Sequence, residues 1–116
     1  LDDILDAARE AQQFVAEMSF RDFVADRRTI LAVVQALQII GEATKRVPRG
    51  LRLRYSQVPW REMAGMRDTL IHEYFAVNLQ VVWKTVHEDL PPLQQALARI
   101  IEAEESEDLG HEGSHG

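Results

Sequence analysis

The chain predicts an all-α fold, an up-and-down bundle of four to five helices. Apolar residues recur at three- and four-residue steps in segment after segment. Capping residues and prolines stand at the junctions, and no stretch alternates apolar with polar residues as a half-buried strand would. At 116 residues, 46% of them hydrophobic, the chain suits one domain with a single core.

Residues 2–18 read as the first helix. Ile4, Leu5, Ala8, Ala11 and Val15 form its inner stripe, and Asp2, Asp3 and Asp6 in the first turn complement the helix dipole. Ser19 is placed to cap a short turn carrying Phe20 and Phe23, and Asp26 to cap the next helix. That helix, about 27–46, is expected to be the longest, with Ile30, Val33, Val34, Leu37, Ile40 and Ala43 on one broad face. Gly41 inside it costs about 1 kcal/mol against alanine, which the close approach of another helix would explain. Val47-Pro48-Arg49-Gly50 ends it.

Residues 51–58 have room for one helical turn, and Pro59 suits the first position of a helix running from Trp60 to about Phe75. Asn78 is placed to cap a further helix with Leu79, Val82, Trp83 and Val86 inward. Asp89 is placed to cap the last one, with Pro91 and Pro92 in the first turn, where a missing N–H costs nothing. Leu93, Leu97, Ile100 and Ile101 would be its buried side. The helical domain is thus expected to span residues 1–101, with 102–116 an acidic disordered tail.

Several function classes drop out on composition. With no cysteine there are no disulfides and no thiolate metal sites. His111 and His115 in the tail are too few and too loosely held for a metal site, so neither metal nor cofactor is expected. The most apolar run, Ile30 to Ile40, is broken by Gln35 and Gln38, so no membrane partner is expected. Leu1-Asp2-Asp3 lacks the basic start of a leader, and a cytoplasmic location fits.

The net charge of −6 hides an uneven distribution. Residues 102–116 hold six acids and no Lys or Arg, which leaves 13 of each sign in residues 1–101. Within these, residues 45–67 carry Lys45, Arg46, Arg49, Arg52, Arg54, Arg61 and Arg67 against one acid, Glu62. A local field of that sign suits a polyanion such as RNA, although solvated arginines on helix faces would produce the same count.

This basic stripe runs into Arg67-Asp68-Thr69-Leu70-Ile71-His72-Glu73-Tyr74, the densest group of chemically able side chains. On a helix advancing about 100° per residue, Arg67 and Tyr74 fall on one line while Arg67 and His72 stand roughly 140° apart. The two converge if the turn is distorted, if the long arginine wraps, or if a second subunit supplies the partner. Asp68, one turn before His72, is able to fix its imidazole tautomer. Such a group suits phosphodiester cleavage without metal. His72, whose ordinary pKa is near ~6.5, would take the ribose 2′-OH proton or protonate the leaving oxygen. Arg67 would hold the charge growing on the phosphorane, and a 2′,3′-cyclic phosphate would result. A surface arginine and a packed histidine satisfy the same spacing, so the pair needs independent support.

That support is a resemblance. Ile39-Ile40-Gly41-Glu42-Ala43, Val58-Pro59-Trp60-Arg61-Glu62, Gly65-Met66-Arg67-Asp68, Ile71-His72-Glu73-Tyr74-Phe75 and Val82-Trp83 with Asp89-Leu90-Pro91 occur in that order. Over about residues 1–101 the chain resembles the HEPN superfamily, and within it the HepT-type toxins encoded beside a minimal nucleotidyltransferase antitoxin. The resemblance implies a homodimeric helical bundle with an Arg-x4-His-x-Tyr motif facing a cleft between subunits. It implies a metal-independent endoribonuclease acting on mRNA or tRNA, with Arg67 and His72 catalytic. It also implies that the nucleotidyltransferase silences the toxin by attaching AMP to Tyr74. Asp68, where relatives often carry asparagine, and Glu42 are the supporting positions; Glu42 is either a buried polar group near the site or a plain solvent-facing residue. The competing reading is a non-catalytic partner of a nucleotidyltransferase, or a module that binds RNA or nucleotide without cutting it.

Overall fold

The computed structural model describes the backbone of residues 1–65 and 78–115, and the side chains of these residues as far as 107. Among the described residues seven α-helices follow in order: α1 (Asp2–Phe14), α2 (Phe20–Ala25), α3 (Arg27–Lys45), α4 (Arg49–Arg54), α5 (60–65), α6 (Leu79–Lys84) and α7 (Leu90–His115). No strand occurs among the described residues, as the sequence periodicity predicts.

Helix α1 lies against both α3 and α7. Ile4, Leu5, Ala7, Ala8 and Ala11 are buried along it, and three alanines on one face let neighbouring helix axes come close. Each large aliphatic side chain buried in such a core contributes about 1.5–3 kcal/mol. The helix stops short of the predicted residue 18. Val15 and Ala16 donate to the carbonyls of Gln12 and Gln13, and Met18 to that of Val15, three-residue steps that tighten the chain while Val15 stays buried.

Three of the predicted caps form, at Ser19, Asp26 and Asn78. Ser19 Oγ accepts from the Asp22 N–H at 3.1 Å while Asp22 Oδ2 accepts from the Ser19 N–H at 3.2 Å, a reciprocal box that starts α2. Asp26 accepts from the Thr29 N–H at 3.1 Å and the Thr29 hydroxyl at 2.8 Å, starting α3. Asn78 Oδ1 accepts from the N–H groups of Gln80 and Val81 at 3.0 and 3.3 Å, starting α6. Within α3, Gly41 is buried, and the fully buried Thr44 spends its hydroxyl on the Ile40 carbonyl at 2.6 Å.

The expected start at Asp89 is not where the last helix begins. Asp89 lies inside a π turn, Thr85–Asp89, that joins α6 to α7 without a break; Lys84, Thr85 and Leu90 all keep right-handed helical torsions. The reason is the proline pair. Pro91 and Pro92 have no N–H to donate, and their rings crowd the carbonyls four residues back. Widening the preceding turn, with the Leu90 N–H reaching the Thr85 carbonyl, gives the rings room while the rod continues. At 26 residues α7 is longer than α3 at 19, the reverse of the expected order. It also runs to His115 through the acidic segment expected to be disordered.

Trp83 seals the α2 side, with its ring 5.3 Å from Phe23 and 5.7 Å, edge-on, from Phe20. His87, one turn on, stacks at 4.0 Å, and its Nδ1 lies 2.9 Å from the Trp83 carbonyl. A carbonyl only accepts, so Nδ1 carries the proton.

Phe23→Ala removes a fully buried ring and should destabilise the fold by about 3–5 kcal/mol in urea titrations. Asp26 supplies a pH test. The Thr29 backbone and hydroxyl hydrogen bonds hold its carboxyl below the ordinary value. Its contribution is therefore complete above the unfolded-state pKa of about 3.9 and is lost as pH falls through the lower folded value. The stability gap between the parent and Asp26→Ala should be constant near neutrality and shrink in acid, as followed by denaturation at stepped pH.

Candidate active site and its basic approach

Arg67, Asp68, His72 and Tyr74 lie in 66–77, outside the described residues. The frame on either side of them is well packed. The chain reaches Gly65 along α5, where Trp60 and Met63 are buried and the Trp60 indole N–H donates to the Tyr55 carbonyl at 2.9 Å. Pro59 stands one residue ahead of the helix and accepts its first bond, from the Met63 N–H at 3.0 Å. The chain resumes at the Asn78 cap, and Val82 and Val86 carry it back into the core. Trp60 is thus a core residue with its polar edge satisfied, not a stacking platform for a base.

Glu42 is solvent-facing. Its side chain is 49% exposed and lies 3.9 Å from Arg46, one turn on. It borders an acidic hollow between α1 and α3 with Asp3, Asp6, Glu10 and Arg46. The basic groove lies elsewhere, so the structure does not bring Glu42 together with Arg49, Arg52 or Arg61.

The basic stripe separates into groups. Arg54 turns toward α7, where its Nη1 meets Glu104 at 3.0 Å and Glu107 at 3.3 Å. The Tyr55 hydroxyl donates to Glu104 at 3.3 Å. The carboxylates raise the Arg54 pKa, Glu104 most. Burial first, and then the Glu104 charge, push the Tyr55 phenol above its ordinary value. This cluster escapes a reading by local charge because its partners are 50 residues apart in sequence; the one available signal is Glu104 and Glu107 at a three-residue spacing on one helix face. Arg49, Arg52 and Arg61 instead line an open groove of about 720 Å³ between α4 and α5, with Leu53, Trp60 and Glu62.

The helical frame is what the resemblance led one to expect, and the groove gathers part of the basic stripe that the charge distribution pointed to. The family model for "Ribonuclease HepT-like" proteins matches residues 4–100. The chain belongs to the HepT-like ribonuclease family. Among HepT-like relatives, the "Probable ribonuclease HepT" of Thermococcus cleftensis is 49% identical over 100 residues, 86% of this chain and 91% of that protein. A "Putative RNase" of Caldanaerobacter subterraneus subsp. tengcongensis is 43% identical over 104 residues, 90% of this chain and 93% of the relative. Another protein of that description, from Methanocaldococcus jannaschii, is 37% identical over 106 residues, 91% of this chain and 88% of its own length. No solved structure matches the chain significantly. HepT-like membership places the chain in the HEPN superfamily and supports a ribonuclease function. No helix among the described residues is long and apolar enough to cross a membrane.

The Tyr55 environment is directly measurable. Its phenol should titrate above about 10, the ordinary value, in ultraviolet pH difference spectra of the parent against Tyr55→Phe. Glu104→Gln should lower the midpoint only in part, because burial, the larger cause, remains.

Proposed function

We propose that the protein is a metal-independent endoribonuclease, the toxin of a toxin–antitoxin module, with Arg67 and His72 as its catalytic pair. The observation that carries this is the family match across residues 4–100, with Arg67, His72 and Tyr74 standing inside it at the motif spacing. Two further observations support it. The three relatives described are named as ribonucleases, and a groove with three arginines and one acid lies beside the helix that leads into the motif.

In this reading the ribose 2′-oxygen attacks the adjacent phosphorus as its proton passes to a base. The P–O5′ bond breaks, and the leaving oxygen takes a proton. The products are a 2′,3′-cyclic phosphate and a 5′-hydroxyl. His72 moves a proton and Arg67 pairs with the charge that grows on the non-bridging oxygens. Because the two residues stand roughly 140° apart on a regular helix, a homodimer with the motif at a cleft between subunits gives them a way to act on one phosphate. A nucleotidyltransferase that transfers AMP to Tyr74 would place an anionic phosphate where the substrate phosphate belongs, and so silence the enzyme.

The test is RNA cleavage in EDTA by protein whose intact mass shows no AMP adduct. The parent should release fragments ending in cyclic phosphate from mixed mRNA or tRNA. Arg67→Ala and His72→Ala should each lower the rate by at least about 100-fold, the usual scale for a general acid–base or charge-stabilising group. Absence of cleavage by the unmodified parent across these RNAs would favour the non-catalytic partner of a nucleotidyltransferase.

A further inference from the structure

The seven bases of the 45–67 stripe are not equivalent, and their division has a consequence. Arg46 lies beside Glu42, and Arg54 is committed to Glu104 and Glu107 on α7. Arg49, Arg52 and Arg61 have no ion pair among the described residues and border the same groove. Among the described residues Glu62 is the single carboxylate bordering it.

Two details distinguish this groove from a merely solvated basic face. The Nε–H of Arg52 is buried and has no hydrogen-bond partner among the described residues, a donor in want of an acceptor. Leu53, 67% exposed, stands on the same groove and offers apolar surface beside the three cations. Cations beside an apolar shelf match the alternation of phosphate with sugar and base along a single strand.

We propose that the α4–α5 groove is a non-catalytic subsite that holds the phosphate backbone of a single-stranded RNA through Arg49, Arg52 and Arg61. Arg61 precedes Arg67 by six residues, so a strand bound in the groove lies along the element that leads into the motif. The subsite supplies affinity without reading sequence, since guanidinium–phosphate contacts carry no base information. Arg54, held by Glu104 and Glu107, is not part of it. The proposal rests on the ribonuclease reading for its choice of RNA as ligand.

The experiment measures fluorescence anisotropy of a short labelled oligouridylate across a salt series, with the full chain carrying His72→Ala so that the probe stays intact. Arg49 and Arg61 are both exposed, so an Arg49→Gln/Arg61→Gln double variant should keep the parent circular dichroism. Each phosphate contact on a single strand adds about 0.7 to the log–log salt slope, so losing two lowers the slope by about 1.4 and the affinity about 25-fold at ~0.1 M salt. Arg54→Gln should change the affinity less than about twofold on the same grounds. Unchanged affinity and slope in the double variant would overturn the subsite, as would an equal loss in Arg54→Gln, which would mark a diffuse charge effect. Cleavage is read separately on chains with His72 intact. Cleaving protein whose RNA affinity ignores Arg49 and Arg61 refutes the subsite alone. Binding lost in the double variant, without cleavage by any chain, refutes the ribonuclease reading and keeps the subsite.

Discussion

The seating of α1 against α3 and α7 is the packing arrangement on which the rest of the frame depends. Ala7, Ala8 and Ala11 give α1 a shallow face, and Ile4 and Leu5 fill the end of it. From the other side, Val33, Ala36, Leu37 and Ile40 of α3 and Leu90, Leu93, Leu97 and Ile100 of α7 complete the core. A larger side chain at an alanine position would force the axes apart and strain the packed layer, which close-packed interiors tolerate poorly. A polar contact crosses this region, the Gln12 amide donating to Gln94 Oε1 at 2.7 Å. It ties the rotation of α1 to that of α7, so the two helices share one register.

The proline pair has an effect beyond its own turn. A capped start at Asp89 would have let α7 leave α6 at an arbitrary angle. The π turn instead carries the direction of α6, fixed by the Asn78 cap and by Trp83 against Phe20 and Phe23, into a rod that ends among the acids. The helix that resumes the chain after the motif is thereby continuous with the helix that brings Glu104 to Arg54. Mid-helix π turns occur often near functional sites, and this one lies on the continuous run of helix between the Asn78 cap and the acids that meet Arg54.

Much of this was legible in the residues, and what was missed shares a cause. Ser19, Asp26 and Asn78 cap as read because an N-cap is a local interaction, settled within three residues. Val33, Leu37, Ile40, Leu93 and Leu97 are buried because helical periodicity reports directly on the core face. Asp89 failed as a cap because Asp89-Leu90-Pro91-Pro92 satisfies either a capped helix start or a widened π turn that makes room for the proline rings, and the local sequence suits both. The contact of the acidic segment with Arg54 was not legible for a similar reason. A run of like charges reads as self-repelling until a cation 50 residues away is placed against it. Of the candidate site, the spacing of Arg67, His72 and Tyr74 was visible in the sequence. The exposure of Glu42 was not, because its position on α3 suits either a buried or a solvent-facing role.

The net charge is a poor guide to what this surface attracts, and the geometry gives the reason. Screening confines the influence of each exposed charge to roughly 8–10 Å at physiological salt, so a polyanion responds to local groups rather than to the total of −6. Exposed ion pairs stabilise a fold little, and with Arg54 at 54% exposure its contact with α7 acts chiefly on the field. Glu104 and Glu107 neutralise the arginine at one end of the stripe, while Arg49, Arg52 and Arg61 keep their charge beside the helix that leads into the motif. The acids of α7 thus narrow a broad basic face, and among the described residues Arg49, Arg52 and Arg61 are left to set the field of one groove, the place the proposed strand contact would occupy.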